Sequence, residues 1–193
     1  MNFIYETDRL QLKILTEDYA PAVLSFLKKN RDIFEPFETF KQNIYYTEIY
    51  QRRNLKLEYT SFLSLKYIRY YVFKKGNAND IIGTISFSNI LKHPYSSACI
   101  GYKFDREYQH LGYASEAVTC AAFAAFRDAG FHRLEAFVLP ENLPSVKLLE
   151  RIGFDYEGLG RELICIQGEY KDHLRYALIN TFTTSSHLNT PLW

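Results

Sequence analysis

Excess charge of one sign is the first thing this chain lacks. Its 23 Lys and Arg stand against 22 Asp and Glu, a formal net charge of +1, so no bulk field draws it to nucleic acid or to an anionic membrane surface. Cysteine is scarce too. Cys99, Cys120 and Cys165 are odd in number and show no C-x-x-C spacing, which reads as buried or incidental thiols of a reducing compartment. A catalytic cysteine is the sharper reading, but none of the three has a histidine near it in the local pattern. No metal site is expected. No apolar run approaches the roughly 20 residues of a membrane span, and Met1-Asn2-Phe3-Ile4-Tyr5-Glu6 does not read as a signal peptide. The expectation is a cytoplasmic protein without membrane or direct nucleic-acid partners, acting as a monomer or homodimer. Repeats and low-complexity segments are absent, and the single tryptophan is the last residue, Trp193.

What is present is aromatic. Tyr (16) and Phe (15) dominate a chain that is 47% hydrophobic, enough to bury a core, and 193 residues suit one domain with an appendage. Leu10, Leu12 and Ile14 mark a first strand. Thr16 is placed to cap a helix striped by Tyr19, Ala22, Val23, Phe26 and Leu27. Residues 31–62 are read as a helical hairpin, with Phe34, Phe37 and Phe40 and then a helix over about 39–60; the same aromatics also suit the wall of a cleft. Residues 67–73 and 81–90 make an antiparallel hairpin.

The most informative stretch is 102–117. An alternating strand (Ala98, Ile100, Tyr102, Phe104) enters the turn Gln109-His110-Leu111-Gly112-Tyr113-Ala114-Ser115, which opens a helix striped by Ala114, Ala117, Val118, Ala121, Ala122, Ala125 and Phe126. Small residues at a helix start leave its free N–H groups open to an anion. The alternative is an ordinary strand-to-helix turn with Gly112 as a backbone device. Gly130 stops the helix, 132–139 reads as a strand buried on both faces, and Asn142 caps a short helix that Gly153 closes. A bent strand broken at Gly158 and Gly160 and a last strand, 173–179, complete a mixed α/β (α+β) order. That order implies a mixed, mostly antiparallel sheet of six to seven strands with helices on both faces. The tail 181–193 is expected to be poorly ordered or docked through Trp193.

Two motifs in sequence carry a resemblance. Gln109, Gly112 and Ala114 match the Gln/Arg-x-x-Gly-x-Gly/Ala signature of the GNAT acetyltransferases, and Asn142 through Phe154 resembles the family's Asn-x-x-Ser-x-x-Leu-x-x-x-x-Gly-Phe segment. Glu6-Thr7-Asp8-Arg9-Leu10 and Gly168-Glu169-Tyr170-Lys171-Asp172 resemble the branch that includes the N-terminal acetyltransferases of ribosomal proteins. The resemblance covers about residues 6–180 as one domain and implies a sheet whose central strands splay to admit acetyl-CoA as co-substrate.

On that resemblance, the turn at Leu111–Ser115 holds the pyrophosphate, and Tyr102, Lys103 and Phe104 offer backbone groups to the pantetheine arm. Gln109 and His110 begin the turn; His110 is either a ligand contact or a solvated side chain. Asn142 caps its helix and contacts the pantetheine. Lys147 either reaches the adenosine phosphates or is a solvated helix residue. Ser145 is the candidate to protonate the leaving thiolate, against a plain first-turn role. The branch's glutamate base falls at Ile164 here, a departure, so Glu162, two residues earlier, is the substitute, against an ordinary edge-strand carboxylate. The implied reaction is acetyl transfer to a primary amine. A protein N-terminus is the leading acceptor, because no acidic cluster suits a polycation and an α-amine loses its proton easily. A small-molecule acceptor, or an idle CoA-binding module, are the other readings.

Overall fold

A computed structural model describes residues 1–77 and 80–181; the expected docking of the tail through Trp193 lies outside them. The elements in order are β1 (Ile4–Glu6), β2 (Leu10–Lys13), α1 (Ala20–Lys29), α2 (Arg31–Phe34), α3 (Glu48–Leu63), β3 (Ile68–Lys74), β4 (Ile81–Leu91), β5 (Ser97–Phe104), α4 (Tyr113–Ala129), β6 (Arg133–Val138), α5 (Leu143–Arg151), β7 (Asp155–Ile166) and β8 (Glu169–Ile179). They form one eight-stranded sheet, ordered β1-β2-β3-β4-β5-β6-β8-β7. Among the described residues only β5 and β6 pair in parallel. The strand beyond the expected six or seven is β1, a three-residue piece that folds back on β2.

Alternation along the strands sorts the core into two layers. Ile68, Tyr70, Val72, Ile100 and Leu134 point to one face, where the small residues of α4 (Ala117, Ala121, Ala124, Ala125) and Leu148 and Leu149 of α5 cover them. Tyr71, Phe73 and Ile81 point to the other, beneath Val23, Phe26 and Leu27 of α1 and Leu55 of α3. Fully burying each such side chain contributes roughly 1.5–3 kcal/mol.

The second helical region differs from its expectation. Thr47, not a residue near 39, starts α3: its hydroxyl accepts from the Tyr50 N–H. The preceding chain is spent in short turns, Glu35–Phe37 and Asn43–Tyr46. Thr16 precedes a single turn (Glu17–Tyr19) and makes no side-chain cap bond; α1 proper begins at Ala20 with Pro21 in its first turn, where a missing N–H costs nothing.

Candidate active site

The parallel pairing of β5 with β6 is short. It joins Ser97–Cys99 to Arg133–Glu135 and then stops, so Ile100–Phe104 and Ala136–Val138 diverge. The gap between them opens into a cleft of about 920 Å³ that reaches from the α4 N-terminus to the far face of the sheet. The expected splay is therefore present, and it bares the backbone edge of β5 along Tyr102, Lys103 and Phe104.

At the C-terminal end of β5 the chain turns sharply. Buried Asp105 is held by Lys29 (2.9 Å) and by the Asn30 amide, which donates to it, while its other oxygen accepts from the Glu107 N–H. Those contacts with Lys29, Asn30 and the Glu107 N–H hold its carboxyl below the usual range, against the opposing effect of burial. Gln109 donates to the Phe104 carbonyl. His110 (φ 60°) and Gly112 (φ 80°) both take left-handed backbone. Gly112 then precedes α4 with no side-chain cap, so the first N–H groups of the helix lie free at the positive end of the dipole, and Ala114 and Ser115 bring theirs to the cleft mouth. A Cβ at Gly112 would stand 3.3 Å from the Arg9 guanidinium and would force a conformation L-residues rarely adopt.

Arg9 explains the opening motif. Its Nε pairs with Glu116 on α4 (2.6 Å), its Nη1 donates to the Leu111 carbonyl (3.1 Å), and its guanidinium lies over the Tyr113 ring. The bend between β1 and β2 thereby holds the turn in shape. Leu111 and Tyr113 serve that scaffold and do not line the cleft, whereas Gln109, His110, Gly112, Ala114 and Ser115 do.

Across the gap, α5 presents its first turn. The Asn142 side chain accepts from the Ser145 N–H, as the cap reading required. The Ser145 hydroxyl donates to the Tyr102 hydroxyl (2.9 Å), which in turn donates to the Ser145 carbonyl. Two hydroxyls from opposite sides of the splay thus meet at its centre. Burial pushes the Tyr102 phenol up to about 12, against the opposite pull of the Ser145 bond. Sequence reading assigned Tyr102 only its backbone; nothing in the local pattern revealed that its side chain would meet Ser145, 43 residues on. Lys147 and, one turn later, Arg151 line the same wall, and Arg151 was missed although it repeats Lys147 at i+4.

The opposite end of the cleft is built from distant segments. Phe34 and Phe37 line it, while Phe40 is exposed and outside it. Lys103 reaches across to Glu38 (2.6 Å) over the Phe34 ring. Burial holds the Lys103 ammonium below its ordinary range, with Glu38 pulling the other way. Arg69 pairs with Glu58 (2.7 Å), which also accepts from the Tyr71 hydroxyl. At the β7–β8 turn, Gln167 donates to the carbonyls of both Glu35 and Glu38, strapping the hairpin over the aromatic segment.

Glu162 is not brought to the cleft. The β7–β8 register breaks between Gly160 and Ile164, and Glu162 sits in that bulge with φ 47°, exposed, its N–H donated to Asp172. The bulge cancels the two-residue alternation that had put Glu162 and Ile164 on one face. His173, paired with Gly160 and only 3% exposed, lines the cleft instead.

The family model described as "Acetyltransferase (GNAT) domain" matches residues 9–155. The chain belongs to the GNAT acetyltransferase family. It is 34% identical over 161 residues to a probable N-acetyltransferase YjcK of Bacillus subtilis, covering 83% of this chain and 88% of that one. Among solved structures it resembles the ribosomal-protein-S5-alanine acetyltransferase of Vibrio fischeri (TM-score 0.88, 27% identity, 94% of this chain and 98% of that one). The Mycobacterium smegmatis RimJ in complex with CoA-disulfide shares the fold (TM-score 0.82, 22% identity, 88% and 81%). This GNAT chain is accordingly an N-acetyltransferase by family, with a mixed sheet of that fold. Among the described residues no helix is long and apolar enough to cross a membrane.

Proposed function

We propose that this GNAT protein transfers acetyl from acetyl-CoA directly to the α-amine of a protein N-terminus. One observation carries the reading: the bared edge of β5 leads, through one short helical turn at Arg106–Tyr108, into a left-handed turn and an uncapped helix start, with two hydroxyls facing each other midway. An extended arm of amides can pair with that edge, and a pyrophosphate suits the N–H groups of Ala114 and Ser115. Lys147 and Arg151 supply charge for the outer phosphates.

The hydroxyl pair lies midway along the bared β5 edge, which suits the point where a thiolate leaves. As the thiolate leaves, the Ser145 O–H turns from the Tyr102 oxygen to the developing negative charge, while Tyr102 stays in place through its bond to the Ser145 carbonyl. A hydrogen bond of this kind contributes about 1–3 kcal/mol to the transition state. The aromatic wall, the Lys103–Glu38 pair and the narrow strap at Gln167 favour a slim extended acceptor over a polycation. The acetyltransferase of Vibrio fischeri, by its name, acts on an alanine of ribosomal protein S5, which supports a protein acceptor here.

The test is purified protein with acetyl-CoA and either N-terminal peptides or small amines, followed by free-thiol release. Peptide-dependent release is expected. Release with a small amine that exceeds every peptide would move the acceptor to the small-molecule class, and release with none would leave a CoA-binding module.

A further inference from the structure

Acetyl transfer to an amine needs a proton acceptor, because the amine arrives as an ammonium. The described groups that line the cleft offer few. Glu38 is paired with Lys103 at 2.6 Å. His110 stands in the exposed phosphate turn, and Glu162 lies outside the cleft. His173 remains. Leu174, Tyr176 and Leu178 pack into the layer beneath α4, so alternation turns His173 to the opposite face, the face of Lys103 and the aromatic wall. Its Nδ1 is 2.9 Å from the Lys171 carbonyl. A carbonyl only accepts, so the neutral ring carries its proton on Nδ1 and keeps a lone pair on Nε2. Among the described residues Nε2 has no hydrogen-bond partner.

We propose that His173 Nε2 is the base that takes the proton from the acceptor ammonium. This rests on the acetyl-transfer reading above. One N–H proton passes to Nε2 and then to solvent. The freed nitrogen lone pair forms the N–C bond to the thioester carbonyl as the C–S bond breaks. The thiolate takes a proton from the Ser145–Tyr102 pair, and the pair is restored by the second proton the nitrogen sheds as it becomes an amide. Charged groups on the packed elements are Glu169, Lys171, Asp172 and Arg175 on β8, Asp155, Glu157, Arg161 and Glu162 on β7, and Glu38 and Lys103 across the cleft; Arg133 of β6 is bound to Glu135 and Glu157 at its far end.

Two measurements test this. Long-range proton–nitrogen NMR of the unaltered protein should show Nδ1 protonated and Nε2 bare in the neutral ring; the reverse tautomer would overturn the proposal without any acceptor being known. His173→Asn keeps a donor toward the Lys171 carbonyl and removes Nε2. It should lower kcat/KM at pH 7 about 100-fold, leave acetyl-CoA affinity by calorimetry within threefold, and recover as pH rises and the amine sheds its proton unaided. His173→Gln serves if the asparagine variant does not fold. Activity within threefold of the parent, or a loss equal at every pH, would refute the base. If the unaltered protein acetylates no amine, the acetyl-transfer reading falls and this one with it; if it does and the variant matches it, only the base falls.

Discussion

The two ends of the cleft are made in different ways. The cofactor end is local in its main chain: strand, turn and helix are continuous from residue 97 to 129, α5 adds one capped turn, and Arg9, Lys29 and Asn30 only brace it from outside. The acceptor end is assembled from afar. Gln167 meets Glu35 across 132 positions and Glu38 across 129, and Lys103 meets Glu38 across 65. A binding feature made of neighbouring residues tolerates little change, since backbone dihedrals and helix start are set together. One made of side-chain reaches can change a residue at a time. A fold that keeps one end and varies the other keeps its donor and changes its acceptor.

The largest way to break that contrast is at Gly112. Gly112→Asp should weaken acetyl-CoA binding by at least about 100-fold in calorimetry, through the φ of 80° and a carboxylate placed against the phosphates; unchanged affinity in a folded variant would remove the phosphate role. Next comes the seam between the ends. Ser145→Ala and Tyr102→Phe should each lower kcat roughly 10-fold, with acetyl-CoA affinity within threefold, and the double variant should lose little more than either, because one hydrogen bond joins them. Additive losses would separate the two hydroxyls. Gln167→Ala touches only the acceptor end. A rise of a few-fold in acceptor KM is expected without change in acetyl-CoA affinity. The smallest effect is in alkaline stability. Tyr102 is raised to about 12 against an unfolded value near 10, so its contribution is complete below pH 10 and is lost as pH climbs toward 12. Thermal melts between pH 9 and 12 should fall, and fall less steeply in Tyr102→Phe.

The same contrast explains what could be read from the chain beforehand. The α4 start, its stop at Gly130, the Asn142 cap and the alternation of β5 all follow from contiguous residues, and each stands where the periodicity placed it, whereas β6, read as buried on both faces, buries Leu134, Ala136 and Val138 and leaves Arg133, Glu135 and Phe137 half-buried beside the splay. The shift of α3 to Glu48 turned on one capping threonine amid aromatics with no clear period. Glu162 turned on a bulge that sets residues 161–163 of β7 against Asp172 alone and gives Glu162 a left-handed φ, so simple alternation does not place its side chain. His173 carried no local motif: its place in the cleft is set by the neighbour order β6-β8-β7, in which β8 inserts between strands earlier in sequence. Tyr102 belonged to a stretch that was read correctly, yet its hydroxyl gained meaning only from α5.

The claim at the centre of this account is that the acceptor is an α-amine. The direct measurement is a peptide bearing a free N-terminus and an internal lysine, incubated with acetyl-CoA and the protein and mapped by fragment mass. The account predicts a single acetyl group on the α-nitrogen and an unmodified lysine. Acetyl on the lysine side chain, or a peptide left untouched while a small amine in the same tube is acetylated, would contradict it.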